Sequence, residues 1–192
     1  YPVTGSTGDG YRFAQSLGHT IMDLKPALIP FTAQENWVHE LSGLSLRNVE
    51  ISIWKQGKKE AIQFGEMLFT HFGVSGPAVL MLSSAILRKK RCTYPLQMQI
   101  NLKPALTKDV LDGRIQRDFQ KYIRKQVENG MKDLLPQRLI PVVLDQAGVD
   151  GHLPVNQISK VQRQNIVYTM QALKLTLTGT RPLAEAIVTA GG

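Results

Sequence analysis

The sequence holds a single cysteine, Cys92, in 192 residues. An intrachain disulfide, a C-x-x-C dithiol and a cysteine-rich zinc site are therefore excluded within it. Its four histidines, His19, His39, His71 and His152, fall at no metal-ligand spacing, and neither H-E-x-x-H nor a paired-histidine helix occurs; no resident metal is expected. Long apolar runs are missing as well. The best stretch, residues 74–87, is interrupted by Ser75, Gly76, Pro77, Ser83 and Ser84 and falls short of the ~18 residues of a membrane span, so no membrane partner is expected. There is no basic-then-apolar leader at the start, and the expected location is cytoplasmic. Acidic residues are few: 15 against 23 Lys and Arg give a net charge of +8 and a pI near 9.7. That balance raises a polyanionic partner as a question of association, not of fold.

What is present is an ordinary globular composition, 43% hydrophobic and 20% charged, with two kinds of periodicity. Thr7 as N-cap, Asp9 in the first turn and Gly18 as the stop predict a short helix over residues 11–17. Residues 27–32 form an apolar segment broken by Pro30, expected at a sheet edge. Residues 44–54 alternate through Leu44, Leu46, Val49, Ile51 and Ile53, with a register slip at 45–49 that predicts a bulge. The turn Gln56-Gly57-Lys58-Lys59 then leads to a partner strand over 60–70. Alternation returns at 94–103 and 173–178, as expected of a small antiparallel sheet or closed barrel. Between them the pattern is helical: a capped start at Thr107 running to Glu128 and an end at Asn129-Gly130, then helices over 138–147 and 157–172.

Two constellations carry chemistry. The first is T-G-S-T-G-D-G-Y, residues 4–11, running into a helix. Its glycines let a ligand approach the backbone, and the helix N-terminus favours an anion. No Lys-Ser/Thr follows, so it is not a Walker A loop, and its spacing is not G-x-G-x-x-G. A plain turn and N-cap is the alternative reading. Asp9 serves either the cap or a sugar or ribityl hydroxyl. The second is G-E-M-L-F-T-H-F-G-V-S-G-P, residues 65–77, followed by a helix apolar on all sides, with Ser75 as the expected N-cap and Pro77 in the first turn. His71, the loop's titratable group near neutral pH, is either a catalyst or a hydrogen-bonding spacer. The basic run Arg88-Lys89-Lys90-Arg91 suits the C-terminal end of that helix. No G-x-S-x-G nucleophile elbow is present.

These two motifs, in this order and spacing and with the closing T-A-G-G of residues 189–192, resemble the aminoacetone-oxidase-like (BaiN-like) family of bacterial FAD-dependent, NAD(P)/FAD-type oxidoreductases. The T-G-D-G turn also resembles one in fumarate-reductase-type flavoproteins. The resemblance implies an α+β fold: a small antiparallel β-barrel plus a helical subdomain, inserted between halves of a Rossmann-like FAD domain. It implies residues 1–24 as the remnant of the first FAD-domain half, 25–103 with 173–186 as the barrel, 104–172 as the helical subdomain and 187–192 as the start of the second half. Both ends of the chain read as cut, in keeping with a fragment. The implied cofactor-binding residues are Thr7, Gly8, Asp9 and Gly10, with Gly73, Ser75 and Gly76 facing the flavin or substrate and His71 the catalytic candidate.

The expected function is a substrate-capping insert that covers FAD in its parent protein, with NAD(P)H as a possible electron source. Its partners would be the FAD-binding domain of the same parent chain and a small-molecule substrate. Alone, the chain is expected neither to retain FAD nor to turn over. A basic barrel module for nucleic acid or another polyanion is the alternative, disfavoured because no aromatic stacking motif accompanies the basic run. A structural domain for oligomerisation is the third reading.

Overall fold

The computed structural model describes residues 5–88 and 93–192. Residues 1–4, at the start of the glycine-rich motif, and residues 89–92, which carry most of the basic run and Cys92, lie outside the described residues. The chain divides into two compact units: Tyr1–Arg47, Ile51–Met98 and Leu175–Gly192 form the first, Asn48–Glu50 and Gln99–Lys174 the second. Among the described residues, no helix is long and apolar enough to cross a membrane.

The first helix, α1 (Asp9–Ser16), is followed by two short strands, β1 (Lys25–Ala27) and β2 (Phe31–Ala33), and by a helix with no clear sequence signal, α2 (Asn36–Glu40). A long hairpin comes next, β3 (Ser45–Lys55) and β4 (Lys58–Thr70), then β5 (Gly73–Ser75) and α3 (Pro77–Leu87). Strands β6 (Leu96–Asn101) and β7 (Leu173–Thr180) flank the helices α4 (Lys108–Lys121), α5 (Val127–Gly130), α6 (Ile140–Gln146) and α7 (Lys160–Gln171), and β8 (Val188–Ala190) closes the chain. Six strands form a closed antiparallel barrel in the order β2-β5-β4-β3-β6-β7, with β2 pairing back to β7. With these helices, the barrel makes the α+β class expected from the sequence.

Alternation explains the barrel core. Ile51 and Ile53 of β3, Met67 and Phe69 of β4, Met98 and Ile100 of β6, and Leu175 and Leu177 of β7 are all buried, each pair two residues apart on one strand face. The slip in β3 is visible between buried Leu46 and Val49, where Asn48 adopts φ 54°. The hairpin turn is tighter than expected. Gln56 and Gly57 alone form it, both at positive φ, as a two-residue type I′ connection requires, and Lys58 already belongs to β4.

Three expectations are corrected. The 27–32 segment is not a sheet-edge strand: Pro30 lies in the gap between β1 and β2, where its missing N–H interrupts no ladder, and β2 is paired on both sides. β1 pairs instead with β8, Lys25 opposite Ala190. The helix expected to run to Glu128 ends at Lys121 and restarts as α5, so Val127 and Met131 turn inward from a separate element. The N-caps Thr7 and Ser75 give way to Gly8 and Gly76.

Helix α3 packs on β4, with Gly65 facing Ala78. Buried Ser83 accepts the Ile29 N–H at 2.9 Å while donating to the Leu80 carbonyl at 2.7 Å. In the second unit, Leu111, Ile115 and Phe119 form the buried stripe of α4, four residues apart as a helix face demands. Gly130 lets α5 approach the Phe119 ring. Thr107 caps α4, and Ser159 with Gln162 forms a capping box on α7, an S-x-x-Q signature legible in the sequence.

Candidate functional site

In the first unit, the T-G-D-G turn and Tyr11 lie against a segment at the far end of the chain, with Tyr11 meeting Thr189, 178 residues on. Gly8 takes the left-handed conformation, φ 80°, and starts α1 without a side-chain cap. Thr7 Oγ1 donates to Asp9 Oδ2 at 2.7 Å, and Asp9 also pairs with Arg12 one turn on. Asp9 is thus held by its own helix start. Gly10 has open space where a Cβ would stand. Tyr11 reaches across to Thr189, hydroxyl to hydroxyl at 2.5 Å.

Thr7, Gly8, Tyr11, Leu183, Ile187 and Thr189 frame one recess of about 460 Å³. Of its lining, the apolar residues Leu24, Leu183, Ile187 and Val188 are exposed. The recess therefore combines hydroxyl-bearing residues, a helix start without a side-chain cap and an apolar rim, a mixture suited to a ligand with a polar edge and an apolar body.

The second motif occupies the β4–β5 turn and the start of α3. His71 is exposed and stacks edge-on against Phe72, ring centroids 5.0 Å apart. The Arg181 guanidinium lies 4.5 Å from the centre of the Phe72 ring. Arg181 also grips Glu185 through two hydrogen bonds, of 2.9 and 2.6 Å. That grip, with further help from the His71 side, holds the Glu185 carboxyl below its ordinary range.

Gly73 and Gly76 answer first to the barrel. A Cβ on Gly73 would stand 2.8 Å from the Ala33 nitrogen and 2.9 Å from Thr32 Cα, and one on Gly76 would stand 2.9 Å from Met67 Cα. Both have positive φ. Ser75 lies in β5 opposite Leu68, half-buried.

The link between the motifs is the segment 181–189, which the sequence reading divided between the end of the barrel, to residue 186, and the start of the second half, from 187, without placing a site residue in it. Its Arg181 and Glu185 face Phe72 and His71, while Leu183, Ile187 and Thr189 face Thr7, Gly8 and Tyr11. The local signal available was R-P-L-A-E, an i,i+4 Arg–Glu pair that brackets a proline, but nothing local says what such a pair faces.

Over residues 25–188 the chain matches the family described as HI0933-like protein barrel and H2TH domain. Similar curated proteins include the ribosomal RNA dihydrouridine synthase of Haemophilus influenzae, 30% identical over 194 residues, covering 100% of this chain and 44% of that protein. The protein of the same name in Escherichia coli is 27% identical, covering 100% and 45%. The 3-dehydro-bile acid delta(4,6)-reductase of Clostridium scindens is 22% identical, covering 98% and 46%. The chain spans less than half the length of these relatives. Its barrel, its helices and this match make it a member of the HI0933-like barrel and H2TH domain family.

Proposed function

We propose that this chain is the substrate-facing insert of an FAD-dependent reductase, covering the flavin, excluding water and shaping access to it. The observation that carries the reading is the recess between the T-G-D-G turn and residues 183–189. Its residues fit one flank of an FAD. The first-turn N–H groups of α1 carry no side-chain cap, Gly10 leaves its Cβ space open, and the Ser6 and Thr7 hydroxyls line the wall. The remaining contacts would come from the portion of the relatives that this chain does not span. When bound, FAD supplies the hydride, with NAD(P)H as the source of electrons.

The names of the relatives share a chemistry. Dihydrouridine forms by saturating the C5=C6 bond of uracil, and a 3-dehydro Δ4,6 steroid is reduced at double bonds conjugated to its ketone. Either reaction places a hydride on a carbon conjugated to a carbonyl, at the β position or its vinylogous δ position, and a proton on the neighbouring α or γ carbon. In this chain the exposed His71, beside the Arg181–Glu185 pair, is the candidate to hold that proton. Of the two substrate classes we choose uridine in ribosomal RNA over the small molecule expected from sequence. The two RNA-acting relatives are the more similar ones, and the net charge is +8.

The test uses the full-length protein, reconstituted with FAD and NAD(P)H, on unmodified ribosomal RNA, followed by digestion and mass spectrometry of the nucleosides. Uridine gaining two hydrogens is the expected result. Intact uridine together with reduction of a 3-oxo-Δ4 steroid would return the substrate to the small-molecule class. A full-length protein that binds no flavin would end the reading altogether.

A further inference from the structure

We propose that the tip of the β3–β4 hairpin and the groove beside it bind single-stranded RNA. The proposal rests on the RNA reading above and adds the place where the strand is held. The groove measures about 290 Å³ and is walled by Trp54 and Lys55 on the hairpin and by Pro95, Gln97 and Thr176 opposite. Among the described residues, no carboxylate lines it.

Trp54 is half-buried, and its indole N–H donates to Ser52 Oγ at 2.8 Å, which fixes the ring plane. Lys59 Nζ stands 5.2 Å from the ring centre, Lys58 and Lys59 are exposed, and Lys55 donates to Thr93 Oγ1 at 2.6 Å. The Gln56-Gly57 turn, with both residues at positive φ, makes the tip a two-residue connection. Three lysines within five residues therefore sit at the hairpin tip, one of them, Lys59, against the Trp54 ring.

A basic track beside an aromatic face is the combination that holds single strands: lysines neutralise phosphates and the ring stacks a base. A base paired in a duplex has no free face for that ring, so the site selects unpaired RNA. The aromatic partner whose absence told against nucleic acid in the sequence is present here. It lies on a hairpin rather than in the basic run of residues 88–91.

The experiment measures fluorescence anisotropy of a labelled 12-nucleotide oligouridylate, and of a duplex of equal length, with the full-length protein at 50 and 200 mM salt. Trp54→Ala should weaken single-strand binding about tenfold, with Trp54→Phe within about threefold of the parent. Lys58→Ala with Lys59→Ala should lower the slope of log affinity against log salt by about 1.4. Lys132→Ala, an exposed charge removed from the helical unit, should leave affinity within about threefold.

Unchanged binding in both hairpin variants, or preference for the duplex, overturns the site. If Trp54→Ala unfolds, the Trp54→Phe protein and the double lysine variant decide the matter through affinity and salt slope. Dihydrouridine formation is measured alongside. RNA binding through Trp54 without uridine reduction would keep the site and end the functional reading. Uridine reduction with indifferent hairpin variants would do the reverse.

Discussion

Replacing Gly73 with alanine tests whether the second glycine-rich motif is built for the barrel. Gly73 has φ 153° and sits where β5 pairs with both β2 and β4. A methyl group there would stand 2.8 Å from the Ala33 nitrogen and 2.9 Å from Thr32 Cα, backbone atoms that cannot rotate away. Backbone strain costs about 1–3 kcal/mol, and overpacking a filled site about 1–3 kcal/mol more. Together they make a loss of about 4 kcal/mol, or roughly 8–16 °C in melting temperature for a chain of this size. The assay is thermal and urea unfolding followed by circular dichroism and by tryptophan fluorescence, since Trp37 packs edge-on against Phe69, the strand neighbour of Val74. Gly113→Ala is the control. That glycine lies inside α4, where a Cβ would meet only the Arg117 side chain at 3.7 Å, and the change should stabilise by about 1 kcal/mol. A Gly73→Ala protein that melts within about 2 °C of the parent would refute the packing argument and leave ligand contact as the reason for the glycine.

Ser83→Ala should cost about 1–3 kcal/mol in urea unfolding, because it leaves the buried Ile29 N–H without its acceptor; Ser83→Thr or Ser83→Cys, if tolerated, should recover part of it. In the second unit, the two Arg163 hydrogen bonds, then the one from Gln116, hold the Asp112 carboxyl below its ordinary range. A depressed carboxylate contributes stability above the unfolded value, near 3.9, and loses it as pH falls through the folded value. Asp112→Asn should therefore lower stability by about 1–2 kcal/mol at neutral pH, between exposed and fully buried pairs, and the gap from the parent should close below about pH 4; a gap independent of pH would remove the charge from the explanation. Purified alone in the presence of FAD, residues 1–192 should emerge from gel filtration colourless, and a retained absorbance band near 450 nm would contradict the flank-only fit of the recess.

How far these features were legible depends on how local their causes are. Strands β3, β6 and β7 were readable because inward residues recur every second position, as Leu173, Leu175 and Leu177 do on β7. The start of α4 was readable because Thr107 accepts the Val110 N–H three residues on. The break after Lys121 was not, because the helix is ended by where Val127 and Met131 must turn to be buried. α2 escaped notice because five residues carry too little periodicity. Its entry is fixed instead by Glu35, whose carboxylate accepts the Thr176 N–H at 2.9 and 3.0 Å, a partner 141 residues away.

By itself the sequence determined the strands β3, β6 and β7, the capped start of α4 and the two motifs whose order resembles a flavoprotein family. Those signals lie within a few residues of one another, where hydrogen bonding and side-chain period act. Only the tertiary structure decided where those motifs sit and what packs against them. Barrel closure requires Gly73 and Gly76 for backbone approach, and the pairing of β1 with β8 sets residues 183–189 beside the T-G-D-G turn. The hairpin likewise sets Trp54 across a groove from Pro95 and Thr176. Such meetings are enforced by burial and strand pairing between distant residues, and no local pattern records them.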